Sequence, residues 1–340
     1  MPGRIKKNRF LTKTNLILAV ITVGAGSGVG YYALKQTRPE STITKLSQTQ
    51  QTSLISAETK LVQNNTKPKE VYSDLIKRFP KLDSAHKQLG MDLIYTSIQN
   101  ASYYYNSTGS VMRGEIDYNR RESKNALDAG KNSAWVSGYI QDIKDQKLVP
   151  VSLSDDFILA LPDFSLLNEN KSDASKELQV LISTGSEAQE LKVFEDGKVN
   201  PIEAEKAYQR VRKGITDLSK IAPTSKYYSD LASLARIYHD IALGLVQTPN
   251  LSLNKDGTYT LSKQQLQALE QFEKDNSSSG LGSEAKDILK NVKDGKVQAS
   301  ILKEKAKKSQ EEFGSSVFWK GETDVEAEVT GELDESGQTK

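Results

Sequence analysis

The sequence predicts a mainly α-helical protein: an N-terminal single transmembrane helix, then helical hairpins or a bundle with one small β-hairpin. Three observations carry that reading. Residues 14–34 contain no charged side chain. Downstream, apolar residues recur at spacings of three and four, the period of an amphipathic helix. The chain is also lean, with 36% hydrophobic residues and a mean hydropathy of −0.55. Slim helical bundles, which expose much of each helix, suit that composition better than a compact α/β globule.

Residues 1–13 form a basic segment, with Arg4, Lys6, Lys7, Arg9 and Lys13 and no acid. Residues 14–34 just reach the roughly 20 residues needed to cross about 30 Å of hydrocarbon. A basic flank is retained in the cytoplasm, which puts the body on the extracytoplasmic side of a cell membrane. Tyr31 and Tyr32 stand at the outer end, where amphipathic rings favour the interface. The competing expectation is a cleaved secretory signal, with an apolar core over 16–23 and small residues 24–30 as the processing region. No A-x-A is present there, and the absence of cysteine rules out a lipoprotein anchor. Gly24/Gly28 and Gly26/Gly30 make two overlapping G-x-x-x-G pairs, a small-residue stripe on which a second helix packs closely. That stripe is the candidate for self-association into a homo-oligomer.

Residues 35–68 read as a stalk or spacer, with sparse apolar positions Ile43, Leu46, Leu54, Leu61 and Val62 among Gln, Ser and Thr. The extracytoplasmic body is predicted over 69–275. Val71, Leu75, Ile76 and Phe79 form a stripe that Pro80 stops. A helix over 82–105 ends in Tyr103-Tyr104-Tyr105, and a long helical stretch follows over 111–148. The apolar run 155–167, split by Pro162, predicts a short helix and a turn. A helix is expected over 172–183, capped by Ser172 and ended by Gly185. Asn200-Pro201-Ile202-Glu203 combines an N-cap, a proline at the first helical position and an acid in the first turn. The helix it starts runs to Ile221, and Tyr227 to Val246 follows as its antiparallel mate in an αα-hairpin. Leu251 to Leu261 alternates around Asp256-Gly257, the one β-hairpin signal. Residues 276–283 (NSSSGLGS) read as a flexible linker and 284–313 as a C-terminal helical pair. The tail 314–340 is acidic, and its composition predicts disorder.

Shifting the chain by 143 residues aligns Asp74, Leu75, Lys77, Pro80, Ile94, Tyr95 and Ile98 with identical residues at 217, 218, 220, 223, 237, 238 and 241. This suggests two duplicated hairpins, 69–105 and 201–247. Leu234-Ala235-x-x-Tyr238 also resembles the first helix of a tetratricopeptide-type unit. That resemblance implies a helical groove binding a peptide or protein partner, although the regular spacing of such repeats is missing.

The overall charge of +2 hides an asymmetry, because without residues 1–34 the chain carries −3. An acidic body argues against nucleic acid as a partner, since neutralising phosphates needs a basic surface. An exported chain without cysteine has no disulfide framework, which fits a bacterial envelope better than a eukaryotic secretory route. Motifs for chemistry are missing as well. His86 and His239 have no second ligand three or four residues away, and no zinc spacing occurs. Asp196-Gly197 and Asp256-Gly257 imitate the second half of a calcium loop, and Asp294-Gly295 repeats the first. Lys192 and Phe194 occupy ligand positions in the first loop and Lys263 the final one in the second, so all three read as Asp-Gly turns. Ser84-x-x-Lys87 and Ser300-x-x-Lys303 lack the companion motifs of acylating enzymes. No cofactor, metal or catalytic residue is predicted.

One compositional concentration stands out: Tyr95, Tyr103, Tyr104, Tyr105, Tyr118, Trp135 and Tyr139. Tyr103, Tyr104, Tyr105, Trp135 and Tyr139 are the candidate partner-binding aromatic patch, although aromatic residues at helical spacing more often pack inward. The expectation is therefore a membrane-anchored extracytoplasmic scaffold or interaction component of a bacterial envelope assembly, and not an enzyme. It would meet the membrane through its anchor and protein partners through its body. The alternatives are a wall-active enzyme, a module binding cell-wall polymer or peptide, or a secreted form.

Overall fold

Helix formation dominates from Gln48 to Phe313, and its limits follow capping chemistry. The computed structural model describes residues 44–63, 67–119, 127, 133–153, 157–195, 197–246, 251 and 253–313. The basic segment, the predicted transmembrane segment with Gly24, Gly26, Gly28 and Gly30, and the acidic tail lie outside them. Among the described residues no helix is long and apolar enough to cross a membrane.

The first half of the body is built on one long helix. α1 (Gln48–Gln63) and α2 (Pro68–Arg78) pack against α3 (Ser84–Asn119). Leu54, Val62, Val71 and Leu75 fill the contact with Met91, Ile94 and Ile98. Gln51 fastens the corner, its Nε2 donating to the Leu46 carbonyl at 2.9 Å and its Oε1 accepting from the Asp83 N–H at 2.8 Å. Part of the predicted stalk thus packs on the body as α1. α3 also continues past the tyrosine triplet at which the predicted helix over 82–105 ends. α4 (Ala134–Asp145), capped by Ser133, leads into the strands β1 (Leu148–Ser152) and β2 (Ile158–Pro162). These pair antiparallel with Val149 opposite Leu161. Residues 158–162 therefore form a strand rather than the expected helix. All five are buried, and a continuous apolar run of this length suits a strand covered on both faces. On one edge Asn106 reads the Ala160 backbone twice, accepting from its N–H at 2.8 Å and donating to its carbonyl at 3.1 Å.

The second half is a bundle. α5 (Phe164–Asn168) leads to α6 (Lys176–Gln189), which starts at Ser175 and passes through Gly185. A Cβ on Gly185 would lie 2.5 Å from the Phe164 ring, so this glycine serves close packing and does not end the helix. The short hairpin β3 (Phe194–Glu195) and β4 (Lys198–Val199) precedes α7 (Pro201–Ile221). The predicted signature holds there: Asn200 Oδ1 accepts from the Ile202 N–H at 3.2 Å. α8 (Tyr228–Leu243) returns against α7 and closes on Gly244, whose φ of 69° is the left-handed C-cap that favours glycine. The αα-hairpin expected over these residues is present.

After α8 the predicted β-hairpin takes a different partner. β5 (Thr258–Thr260) meets its own upstream arm through a bridge to Leu253 and bonds from Asn254, and it pairs along its length with β6 (Lys296–Gln298). Tyr259 faces Val297, and each lies two residues beyond the glycine of its Asp-Gly turn. Three two-stranded sheets thus stand among the described residues where one hairpin was expected. Between β5 and β6 lie α9 (Lys263–Asp275), opened by a Ser262–Gln265 capping box, and α10 (Gly280–Lys290). The predicted linker is in fact tight: Asn276 is buried, and a Cβ on Gly282 would overlap the Asn276 carbonyl. α11 (Ala299–Phe313) then meets a buried polar cluster on α8. Ser309 Oγ donates to Asp240 Oδ1 at 2.7 Å, Arg236 lies 3.4 Å from the other oxygen, and Lys308 lies 3.5 Å from Glu284 of α10.

A second polar cluster joins the two halves. Tyr95 donates to Asp230 Oδ2 at 2.9 Å, and Gln99 donates to the other oxygen of the same carboxylate. Tyr227 donates to Asp92 at 2.5 Å, and Lys226 reaches Asp92 at 3.0 Å. Burial holds the Asp230 carboxyl above its ordinary range, opposed by the bonds from Tyr95 and Gln99.

Candidate functional site

α3, α4 and the corner before α2 enclose a cleft of about 640 Å³, lined by Val62, Ala101, Tyr103, Tyr104, Tyr105 and Asp142 among others. A shallower depression of about 580 Å³ continues from it, sharing Lys67, Asp142 and Gln146 and adding Glu70, Asp74 and Asp145. α3 puts three consecutive tyrosines on this wall, and three neighbouring helical positions cannot all face inward. Tyr105 is buried at 6% exposure, whereas Tyr103 and Tyr104 are 39% and 60% exposed.

The predicted aromatic patch divides accordingly. Tyr105 donates its hydroxyl to Asp142, and Tyr139 donates to the Tyr105 carbonyl at 2.9 Å. Ring edges meet faces along Tyr104, Tyr105 and Tyr139, with centroids 5.3 and 5.7 Å apart. Burial, then the hydrogen bond to Asp142, pushes the Tyr105 hydroxyl well above its ordinary range, so it remains a donor at neutral pH. Tyr105 and Tyr139 therefore lock α3 to α4. Trp135 lies one helical turn before Tyr139 and is 57% exposed. The side chain of Tyr118 lies outside the described residues.

Two residues without a sequence signal complete the cleft. Asp142 and Gln146 are four positions apart at the end of α4, hence on one helical face. Gln146 is 3% exposed; its Nε2 lies 3.4 Å from Asp142 Oδ1, and its Oε1 has no hydrogen-bond partner among the described residues. The floor thus presents the Asp142 carboxylate beside exposed tyrosine faces, with the Gln146 amide buried beneath it. Such a surface takes ligands that bring N–H or O–H donors and an apolar face.

The remaining candidates are structural. His86 ties Asp83 (2.9 Å) to Thr52 (3.4 Å) at the α1–α3 corner. His239 has Nδ1 2.8 Å from Asp240 and packs against the rings of Tyr208 and Phe272. Lys87 of the first Ser-x-x-Lys pair bonds Asp173 at 3.0 Å. The Asp256-Gly257 loop is a turn, in which Asp256 accepts from the Thr258 N–H and hydroxyl and Lys296 brings its ammonium to the other oxygen at 3.3 Å; Asp196 of the first loop lies outside the described residues. Among the described residues no group of three or more acidic, His or Cys side chains could hold a metal ion. Comparison of the chain with protein-family models, with curated proteins and with solved structures gave no match.

Proposed function

We propose that this chain is a non-catalytic interaction protein of a bacterial envelope, held at the membrane by residues 14–34, that engages a partner at the aromatic cleft. The observation that carries this reading is the exposure of Tyr103 and Tyr104 on the cleft wall of α3, with Trp135 also exposed on α4 one turn before Tyr139. Large aromatic side chains left at a surface are characteristic anchors of protein interfaces.

Crosslinking the intact protein in membranes and recovering it with its neighbours tests the proposal. Wild type is expected to retain a partner that Tyr104→Ala/Trp135→Ala loses while its far-UV circular dichroism is unchanged. Recovery of the chain with nothing but itself would sink the reading. The tether is tested separately, by fractionation: a soluble mature form that begins after Ser27 contradicts it.

One observation favours a second reading, a module that binds wall polymer or peptide. The Asp142 carboxylate lines the cleft and has lone pairs for further donors, which sugar hydroxyls or peptide amines supply. Sedimentation with isolated cell walls separates the two, since only this module would co-sediment and lose binding in Asp142→Asn.

A further inference from the structure

A different cavity, of about 330 Å³, lies where the β1–β2 sheet meets α6, α8 and β3. One wall is apolar, made by Val149, Val151 and Leu161 from one face of the sheet together with Ala188 and Phe194, and Asp163, Ser165, Glu190 and Lys192 stand among the rest of the lining. Val149 and Leu161 are register partners, and Val151 follows two residues on, so a strand's alternation places all three side chains on this face.

Two hydroxyls face this lining without protein partners. Tyr238 lines the cavity although it is only 2% exposed, and its hydroxyl makes no hydrogen bond among the described residues. Ser186, 6% exposed, also lines it and makes no side-chain bond among them. A helical serine ordinarily bonds back to the carbonyl one turn earlier; this one leaves its hydroxyl available. The adjacent Gln189 shows the contrast. Its Oε1 accepts from the Phe164 N–H at 3.1 Å and its Nε2 donates to the Pro162 carbonyl at 2.7 Å, so both ends are satisfied. With no bond among the described residues, both hydroxyls are open to whatever fills the cavity, and a guest with one polar end can meet both.

We propose that this cavity is a binding site for a small, neutral, mainly apolar molecule with one hydrogen-bonding end, of the size and chemistry of an alkylphenol. The volume stands at the lower end of small-molecule pockets, which limits the guest to about ten to fifteen non-hydrogen atoms. An anion is disfavoured, because the Asp163 and Glu190 carboxylates line the cavity and the ammonium of Lys192 is 2.8 Å from Glu195; the apolar sheet face favours a guest with an uncharged, apolar body. The guest's polar end would meet the Tyr238 and Ser186 hydroxyls, each able to donate or accept.

The test uses 4-ethylphenol and ethylbenzene, which differ by one hydroxyl, titrated calorimetrically into the full chain in lipid nanodiscs with empty nanodiscs subtracted. Saturable, one-to-one binding of 4-ethylphenol is expected, at least fivefold tighter than ethylbenzene. Tyr238→Phe should remove that preference while leaving ethylbenzene binding in place, and Ser186→Ala should reduce it. Val149→Trp, which fills the mouth, should abolish both. The proposal is overturned if neither probe saturates, if ethylbenzene binds as well as 4-ethylphenol, or if Tyr238→Phe and Ser186→Ala leave the preference intact.

Discussion

Glu205 is the residue at which proton binding and folding are most directly linked. It is 4% exposed, and burial, with the Asp275 carboxylate adding to it, pushes its carboxyl from the ordinary 4.5 to about 7; a hydrogen bond from Gln209 opposes the shift. A carboxyl that holds its proton more tightly in the folded state contributes stability fully below about pH 4.5 and loses it as pH rises through about 7. Glu205→Gln should therefore be more stable than wild type at pH 8 and little different at pH 4.5. Urea midpoints should show a difference of up to roughly 3 kcal/mol between those limits. Gly214 provides a steric counterpart. A Cβ there would overlap the Thr184 side chain, so Gly214→Ala should cost about 1–3 kcal/mol in a denaturant titration, as overpacking does. Thr184→Ala in the same chain should recover part of that loss. Neither effect is legible in the sequence. Glu205 and Gly214 sit in an unremarkable amphipathic pattern, and only the partner helix reveals what they touch. Asn200 is the opposite case, because a cap acts on its own helix within three residues and needs no tertiary partner.

At the scale of elements, the chain was readable wherever structure is local. α7 and α8 follow from their caps and stripe. β2 is not legible as a strand, because an apolar run of five residues carries no period of its own and burial on both faces removes the alternation that marks a strand. β5 was assigned the nearer partner because turn chemistry predicts only local pairing; its true partner lies beyond two helices. The Asp294-Gly295 turn behind β6 has φ of 50° and 72°, the two positive values of a tight hairpin turn. Gly295→Ala should thus destabilise by about 1 kcal/mol, measured by thermal melting. The same loops predict indifference to calcium. With a lysine ammonium against Asp256, neither added calcium nor a chelator should move the melting midpoint, whereas a bound ion would raise it by linkage.

As a whole molecule, the chain from Lys45 onward is one unit with its own core. Removing residues 1–43 should leave far-UV circular dichroism and cooperative melting of the body unchanged while abolishing recovery in the membrane fraction. The candidate cleft shows how far a sequence can point toward a site. The tyrosine concentration marked the place, but which rings face outward depends on helix phase. Asp142 and Gln146 joined them only because α4 packs across α3. The polar cluster on α8 has a further consequence, for the order of assembly. Asp240 is completed by Ser309, 69 residues later, so the last described helix supplies a bond that a growing or translocating chain cannot make early. Loop closure over such a separation is slow compared with forming a helix. Until α11 arrives, α8 carries charged groups on a face that the finished protein buries. A chain ending before Ala299 should therefore melt at a lower temperature than the intact protein, because Asp240 loses the bond from Ser309.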